Sequence, residues 1–381
     1  MIQYIYIAGA SSRARTTREY LEFLNGNLKV SAYLVSPEMP DRDKVFGGLH
    51  IYPISEQSKL NTQYPVYIGT RGVNQRKIER ELRKIGFHEI IFVTPELDTS
   101  LRNQYVKAIF ARHHRQFTKI EDLTYNRHIQ TEPDDTFHSK PVLKLSETGD
   151  KINTASIYVV NTAGTDHLKD TYTFLSEEKI IQAGTALTRG RIPGAAYDNV
   201  GDNISENNHQ FCELTALYWI WKHVEDDYIG MVHYRRHFLL PDHWLNRMQD
   251  NHIDVLLPVP LYVAPTLEEN FRMRHIPVVW DVMLSKLKEI HPEDYGFISD
   301  YLRSSGLYSP CNMFVMKHQI LREYCEWLFP ILFAVADEVG YVNDSYQNRY
   351  PGFLSERLMT AYFAMHEDEY RIIYADKNFL K

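Results

Sequence analysis

The sequence contains few cysteines, no excess of positive charge and no long apolar run, and each lack excludes a class of protein. Its three cysteines, Cys212, Cys311 and Cys325, stand far apart in 381 residues, which favours reduced, packed thiols over a disulfide framework or a zinc site. The formal net charge of −7 provides no broad positive field for a nucleic-acid backbone, so we expect no nucleic-acid partner. The longest apolar run, Trp327 to Ala336, contains Pro330 and is far shorter than the roughly 20 residues of a membrane span.

The first residues, Met1 to Gly9, contain no positively charged start followed by a long apolar segment. They are typical of a first strand and not of a signal peptide. Together with the reduced cysteines, this predicts a cytoplasmic protein, with membrane contact limited to the periphery of the inner face.

Residues 1–100 alternate short apolar strands with helices, which predicts an α/β fold with a parallel sheet and a small Rossmann-like, nucleotide-binding type of domain. The strands are expected at 4–8, 30–35, 65–69 and 89–93, and the helices at 15–24 and 75–85. The loop Gly9-Ala10-Ser11-Ser12 lacks the full G-x-G-x-x-G motif. Its glycine therefore serves either a tight turn or a bound cofactor.

Residues 101–150 predict a helix over 101–113 followed by a polar linker. A second α/β domain is expected over 151–381, and it opens with a strand at 155–160 that runs into the loop containing Thr162 and Gly164. The domain boundaries thus predicted are 1–100, 101–150 and 151–381.

A polar segment, Asp198 to Asn207, precedes an amphipathic helix predicted over 206–223 with Ser205 as its N-cap. The apolar face of that helix consists of Phe211, Leu214, Leu217, Tyr218 and Trp221. Free N–H groups at a helix start favour anions, so we expect a diphosphate to bind there. Glu213 lies beside the apolar face, where a carboxylate either bonds within the protein or binds substrate.

The apolar strand Tyr228 to Val232 ends abruptly in His233-Tyr234-Arg235-Arg236. Ligands of open α/β sheets bind at the carboxyl ends of strands, so this cluster is a candidate site. If the strand continued, the two arginines would point to opposite sides and at most one would face the site. A guanidinium offers a planar fork for phosphate.

Three sequence blocks carry a family resemblance, in the order Gly201-Asp-Asn-Ile-Ser205, Cys212-Glu-Leu-Thr215 with Tyr-Trp-Ile-Trp-Lys222, and His233-Tyr-Arg-Arg-His-Phe238. Further matching segments follow at 254–260, 309–314, 324–329 and 352–358. On these blocks the chain resembles, over about residues 157–374, a bacterial family of capsular or exopolysaccharide glycosyltransferases long catalogued as a domain of unknown function. The first 150 residues lie outside the resemblance.

The resemblance implies that 151–381 is a GT-A-like glycosyltransferase domain of hexosyltransferase type. It would move a sugar from a nucleotide-sugar donor, UDP-linked, to a capsular, exopolysaccharide or O-antigen acceptor, as a free or lipid-linked glycan. Many GT-A enzymes bind manganese or magnesium through Asp-x-Asp. Here His233-Tyr-Arg-Arg stands in that place, and the literal motif, Asp41-Arg-Asp43, lies outside the match. We expect arginine and helix N–H groups to replace the metal, with a metal site of His233 and Asp202 as the alternative.

The candidate base is Glu356, whose Ser-Glu-Arg-Leu block follows a Pro-Gly pair and is interpreted as a helix start, where a glutamate also serves as a simple dipole complement. Asn312 either binds sugar hydroxyls or occupies a turn. The predicted catalytic residues are Glu356, His233, Arg235 and Arg236. The predicted donor-binding residues are Thr162, Gly164, Asp198, Asp202, Asn203, Asn207, Glu213, Tyr218, Tyr234 and Asn312. Two other functions stay open, namely another transferase of the surface-polysaccharide pathway and a non-catalytic carbohydrate-binding protein.

Overall fold

The computed structural model describes residues 2–37, 45–70, 72–125, 153–165 and 168–381, which divide into two compact units, Met1–Phe117 and Thr118–Lys381. Each unit contains a sheet with parallel strands and helices, which confirms the predicted α/β class. The Asp41-Arg-Asp43 motif and most of the predicted linker lie outside the described residues.

The first unit is an alternation of strands and helices. Its elements are β1 (Gln3–Ala8), α1 (Ser12–Leu24), β2 (Leu28–Val35), β3 (Val45–Phe46), β4 (Leu49–Pro53), β5 (Val66–Ile68), α2 (Gln75–Lys84), β6 (Ile90–Phe92) and α3 (Pro95–Arg112). The strands form a sheet in the order β3-β4-β2-β1-β5-β6. Neighbours in the described sheet are parallel except for the β3–β4 pair.

Helix α3 begins earlier than predicted, and the conformation of Gly9 decides between the two roles predicted for it. Helix α3 starts at Pro95, because Thr94 caps it by accepting from Leu97 N and because proline fits the first turn. It packs against α1 within the first unit. Gly9 has φ 118°, and a Cβ there would lie 2.8 Å from Thr70 Cγ2. The turn itself therefore requires the glycine.

The second unit contains a larger mixed sheet surrounded by helices. Its elements are β7 (Ala155–Asn161), β8 (Glu178–Gln182), β9 (Ala196–Tyr197), α4 (Asn208–Phe211), α5 (Leu214–His223), β10 (Tyr228–His233), α6 (Trp244–Asp250), β11 (Val255–Pro258), β12 (Leu261–Tyr262), α7 (Leu267–Arg274), α8 (Pro277–Ile290), α9 (Tyr295–Ser304), β13 (Leu307–Tyr308), β14 (Phe314–Lys317), α10 (His318–Val339), α11 (Tyr350–Met365) and β15 (Ile372–Ala375). The main sheet has the order β15-β11-β14-β10-β7-β8-β9. Only β14 is antiparallel to its described neighbours.

The core of this unit lies around β10, whose residues Tyr228 to Val232 are buried. The aromatic segment 324–333 lies in α10, and most of it is buried, including Tyr324, Trp327 and Phe329. This segment therefore packs inside the unit. Within the described ranges, no helix combines the length and the apolar character that crossing a membrane requires.

The single helix predicted over 206–223 is wrong, because the chain breaks at Cys212. A 3₁₀ turn at Ser205–Asn207 leads into α4, and Cys212 adopts φ 50° before α5 begins. Asn208 Nδ2 donates to Cys212 O at 2.7 Å and stabilises the break. Ser205 is not a helix N-cap, since its hydroxyl donates to an Asp198 oxygen at 2.6 Å.

Asp198 is fully buried, and its carboxylate accepts four hydrogen bonds from the protein. The donors are Gly184 N at 2.8 Å, Thr185 N at 2.9 Å, Ser205 Oγ at 2.6 Å and Thr215 Oγ1 at 2.6 Å. The hydrogen-bonding capacity of this carboxylate is thus satisfied within the protein. We correct the predicted donor-binding role of Asp198 to a structural one, in which it ties the loop after β8 to the start of α5.

We predict that Asp198→Ala lowers the free energy of unfolding of the second unit by about 3–5 kcal/mol, because it leaves buried donors without an acceptor. Urea titration followed by tryptophan fluorescence measures this unit alone, since all five tryptophans lie in it. The matched control is Asp202→Ala, an exposed carboxylate, for which a change within about 0.5 kcal/mol is expected. Equal effects of the two substitutions would contradict the structural role.

Candidate functional site

A cavity of about 560 Å³ lies at the carboxyl ends of the parallel strands β7, β8 and β10. Val160 of β7 pairs with His233 of β10, so the residues that follow these strands meet at one edge of the sheet. Asn161, Ala183 and His233 line the cavity from the three strand ends. The antiparallel strand β14 begins at the same edge, and Cys311 ahead of it also lines the cavity.

A tight turn at the end of β10 directs both adjacent arginines to the cavity. His233 N donates to Arg236 O at 3.0 Å, and Arg236 N donates to His233 O at 2.9 Å. The strand therefore ends at His233, and Tyr234, Arg235 and Arg236 all line the cavity. The expectation that at most one arginine would face the site is wrong, because it assumed a continuing strand.

Each of these guanidinium groups lies near an aromatic ring. That of Arg235 is 5.1 Å from the ring centre of Tyr234, and that of Arg236 is 5.2 Å from the ring centre of Phe379. Such cation–π contacts orient a guanidinium group.

The Cys311–Asn312 turn has two consecutive left-handed residues, with φ 76° and 48°. Cys311 O accepts from His233 Nε2 at 2.5 Å, and Cys311 N donates to Glu356 Oε1 at 2.7 Å. Asn312 Nδ2 donates to Glu213 Oε1 at 2.9 Å. One turn thus positions three predicted site residues, although Asn312 itself is buried beneath the cavity and does not line it.

His233 must donate through Nε2, because its partner there is a carbonyl oxygen. Burial lowers the pKa of His233, so the ring is neutral at physiological pH and Nδ1 is an acceptor. The side chain can therefore orient a hydroxyl or an N–H group without adding charge.

Glu356 lies in the second turn of α11 and not at a helix start, because the helix already begins at Tyr350 with Pro351 in its first turn. The dipole-complement interpretation of Glu356 is thereby removed. Its Oε2 accepts from Arg357 Nη1 at 2.9 Å. Burial raises the pKa of Glu356, and the nearby Arg357 charge only partly opposes this effect.

Glu213 lies at the break between α4 and α5 and faces the cavity. Besides its bond from Asn312, its Oε1 lies 3.5 Å from where a Cβ on Gly352 would be, which places the carboxylate beside the first turn of α11. The positive end of that helix therefore lies next to this side chain.

Sequence reasoning missed Arg349, which lines the cavity and donates from Nε to Cys212 Sγ at 3.1 Å. A cationic residue immediately before a proline-started helix was the available signal. Burial raises the pKa of Cys212 to about 11, so this lining thiol is neutral at physiological pH. The missed lining residues also include Tyr346, Phe353 and Phe379.

The described lining thus contains three guanidinium groups, from Arg235, Arg236 and Arg349, and two carboxylates, from Glu213 and Glu356. An excess of positive charge in a concave site suits an anionic ligand, and guanidinium forks match phosphate oxygens.

A second cavity of about 520 Å³ adjoins the first, since Asn161, Thr162 and Tyr234 line both. Gly164 lines the second cavity and not the first. The loop after β7 therefore brings the predicted residues Thr162 and Gly164 to adjoining cavities.

The remaining predicted residues lie elsewhere. Asp202 accepts from Tyr218 OH at 3.1 Å, and Asn203 donates to Gly201 O at 2.7 Å. Neither they nor Tyr218 line the two cavities, and Asn207 lines another one. Val200 O and Asp202 accept hydrogen bonds from Trp219 and Tyr218 of α5, so this part of the segment lies against α5 and lines neither cavity.

Several of the candidate metal-ligand atoms of the site already bond within the protein. His233 Nε2 is used by Cys311 O, and Glu356 accepts from a backbone N–H and from Arg357. Within the described part of the chain, only His291, Glu293 and Asp294 bring three ligating side chains within reach of one another, and these line neither cavity. The alternative of a His233 and Asp202 metal site is therefore not supported.

Comparisons with known proteins give one family and a partial structural likeness. Residues 157–367 match the family described as Domain of unknown function (DUF4422). The bifunctional glycosyltransferase WbbM, in its apo structure, is 26% identical over 60% of this chain and 46% of its own, with a TM-score of 0.52. This chain therefore spans less than half the length of WbbM.

A second solved structure, core-mannan synthase A (CmsA/Ktr4) from Aspergillus fumigatus in its Mn/GDP form, is 10% identical over 69% of this chain and 79% of its own, with a TM-score of 0.30. No curated protein matches the chain.

The raised pKa of Glu356 predicts a pH-dependent effect of Glu356→Gln on stability. The folded protein holds this proton above the ordinary pKa of 4.5, so the unfolding free energy of the wild type falls as pH rises from about 4.5 through the folded-state pKa. The glutamine variant lacks this fall. The difference in unfolding free energy, variant minus wild type, should therefore increase with pH across that window in urea titrations. A difference that stays flat or decreases would contradict the assignment.

Proposed function

The chain belongs to the family described as Domain of unknown function (DUF4422), and we propose that it is a glycosyltransferase that uses a nucleotide-sugar donor. The observation that carries the proposal is the cavity at the strand ends, whose lining contains three guanidinium groups and Glu356. The likeness to WbbM, at 26% identity with a TM-score of 0.52, supports the reaction class. The second unit would be a GT-A-like domain, and the parallel sheet of the first unit a Rossmann-like domain.

The donor's diphosphate would bind between Arg235, Arg236 and Arg349. These groups form charge-assisted hydrogen bonds to phosphate oxygens and neutralise the charge that develops as the diphosphate leaves. The nucleoside would extend into the adjoining cavity past Thr162 and Gly164, because that cavity shares a wall with the first. A UDP-linked sugar is the donor we propose.

The reaction is a displacement at the anomeric carbon of the donor sugar. The acceptor hydroxyl oxygen forms the new bond to that carbon, while the bond to the diphosphate oxygen breaks and its electron pair leaves with the diphosphate. Glu356 accepts the hydroxyl proton, and its raised pKa makes it a stronger base than an ordinary carboxylate. Neutral His233 and the carboxylate of Glu213 would orient sugar hydroxyls.

The acceptor we propose is a glycan of a capsular, exopolysaccharide or O-antigen chain, free or lipid-linked. The resemblance of the motif blocks around His233 and Glu356 to capsular and exopolysaccharide glycosyltransferases supports this class of acceptor. A lipid-linked acceptor would bring the protein to the inner face of the membrane.

A thermal-shift screen with a panel of nucleotide-sugars tests donor binding. We expect one class, with UDP-sugars first, to raise the melting temperature, and the double variant Arg235→Ala/Arg236→Ala to lose the shift because the diphosphate loses its cationic partners. The control is Arg322→Ala, an exposed arginine of α10, which keeps the shift.

With the same panel of nucleotide-sugars, Glu356→Gln should keep the thermal shift. Its turnover, measured in an activity assay, should fall about 10²–10⁴-fold. A panel that yields neither a shift nor turnover overturns the enzyme proposal. Glycan binding without donor binding selects a carbohydrate-binding protein, and activity with a nucleotide-linked donor other than a sugar selects another transferase.

Metal removal gives a separate prediction, because the guanidinium groups take the place of a cation. Donor binding should be the same in excess chelator and in added manganese, measured by calorimetry on metal-free protein. Binding that disappears with the chelator and returns with manganese would refute the arginine-based account.

A further inference from the structure

The loop that joins α10 to α11, residues 340–348, displays two tyrosines with large exposed fractions, 72% for Tyr341 and 55% for Tyr346. Tyr346 lines the site cavity. Tyr341 lines a different cavity of about 330 Å³, which we call the outer cavity. One short loop therefore contributes an aromatic ring to each cavity.

Hydrogen bonds to neighbouring residues hold the 340–348 loop in place. Asn348 is 1% exposed; its Oδ1 accepts from Val342 N at 2.9 Å, and its Nδ2 donates to His209 O at 3.1 Å. Gly340 O accepts from Gln210 Nε2 at 3.0 Å. A surface loop tied down in this way presents its tyrosines in a fixed position, which lowers the entropy cost of binding.

The polar chemistry of the outer cavity differs from that of the site. Its lining includes the carboxylates of Glu206 and Asp337 and the amide of Asn207, and no lysine or arginine is among its described lining residues. Carboxylates repel phosphate and accept hydrogen bonds from hydroxyls. The exposed ring of Tyr341 offers an apolar face with a polar tip. A sugar ring, with a C–H face and a rim of hydroxyls, has the complementary chemistry.

We propose that the outer cavity binds a sugar unit of the acceptor glycan at a distance from the unit that reacts. This inference rests on the proposed function, since it assigns the acceptor of that same reaction. Tyr341 and Tyr346 are five residues apart, so their Cα atoms are separated by at most about 18 Å. An extended oligosaccharide can therefore contact both tyrosines, whereas Tyr341 does not line the cavity that a reacting monosaccharide would occupy.

The test uses neutral oligosaccharides of one, three and six units, built from glucose, galactose, mannose or N-acetylglucosamine, with binding measured by calorimetry. At least one hexasaccharide should bind about fivefold or more tightly than its monosaccharide, and Tyr341→Ala should remove that gain, as expected for an aromatic anchor. Tyr341→Phe, which keeps the ring, should retain most of it. The matched control is Phe297→Ala, an exposed aromatic of α9 that is 46% exposed and lines no cavity described above.

The inference is overturned if no hexasaccharide of the panel binds more tightly than its monosaccharide, or if Tyr341→Ala binds hexasaccharide like the wild type. The donor-induced thermal shift of Tyr341→Ala should equal that of the wild type. If the wild type itself shows no donor-induced shift, the proposed transferase function is overturned. The hexasaccharide titration tests glycan binding by the outer cavity independently of that result.

Discussion

The candidate site depends on the Cys311–Asn312 turn, whose hydrogen bonds connect three distant parts of the chain. It bonds to His233 at the end of β10, to Glu356 in α11 and to Glu213 at the α4–α5 break. Two consecutive non-glycine residues with φ 76° and 48° cost about 1–3 kcal/mol each. Such a conformation persists because its surroundings determine it, and here those surroundings are the predicted catalytic and binding side chains. The same bonds thus stabilise the turn and orient the site.

The two cavities of the second unit differ in the charge of their lining residues and so suit different ligands. The strand-end cavity contains three guanidinium groups, which suit a diphosphate, and it contains Glu356, whose burial prepares it to accept a proton. The outer cavity contains carboxylates and an exposed tyrosine, which suit hydroxyls. A transferase needs both kinds of recognition, because its donor is anionic and its acceptor is a polyol. The 340–348 loop contributes to both cavities and so couples their positions.

The sequence predicted the parts of the site that follow from local pattern. A buried strand ending in His233-Tyr-Arg-Arg indicated the edge of the sheet at which the cavity lies, because strand ends of parallel sheets collect ligands. The parts that depend on tertiary contacts could not be predicted. The helix break at Cys212 requires the Asn208 bond and the buried Asp198 network, and it moves Asp202 and Tyr218 away from the site. Arg349 lines the cavity because it lies directly before the first residue of α11. The sequence placed the start of that helix near Ser355.

The central claim is that the strand-end cavity holds a diphosphate between arginine side chains. A crystal structure of the protein with uridine diphosphate bound tests it most directly. The account predicts phosphate oxygens within hydrogen-bond distance of Arg236 and of Arg235 or Arg349, with the uracil and ribose beyond Thr162. Electron density for the nucleotide in any other cavity, or phosphates that contact none of these three guanidinium groups, would contradict it.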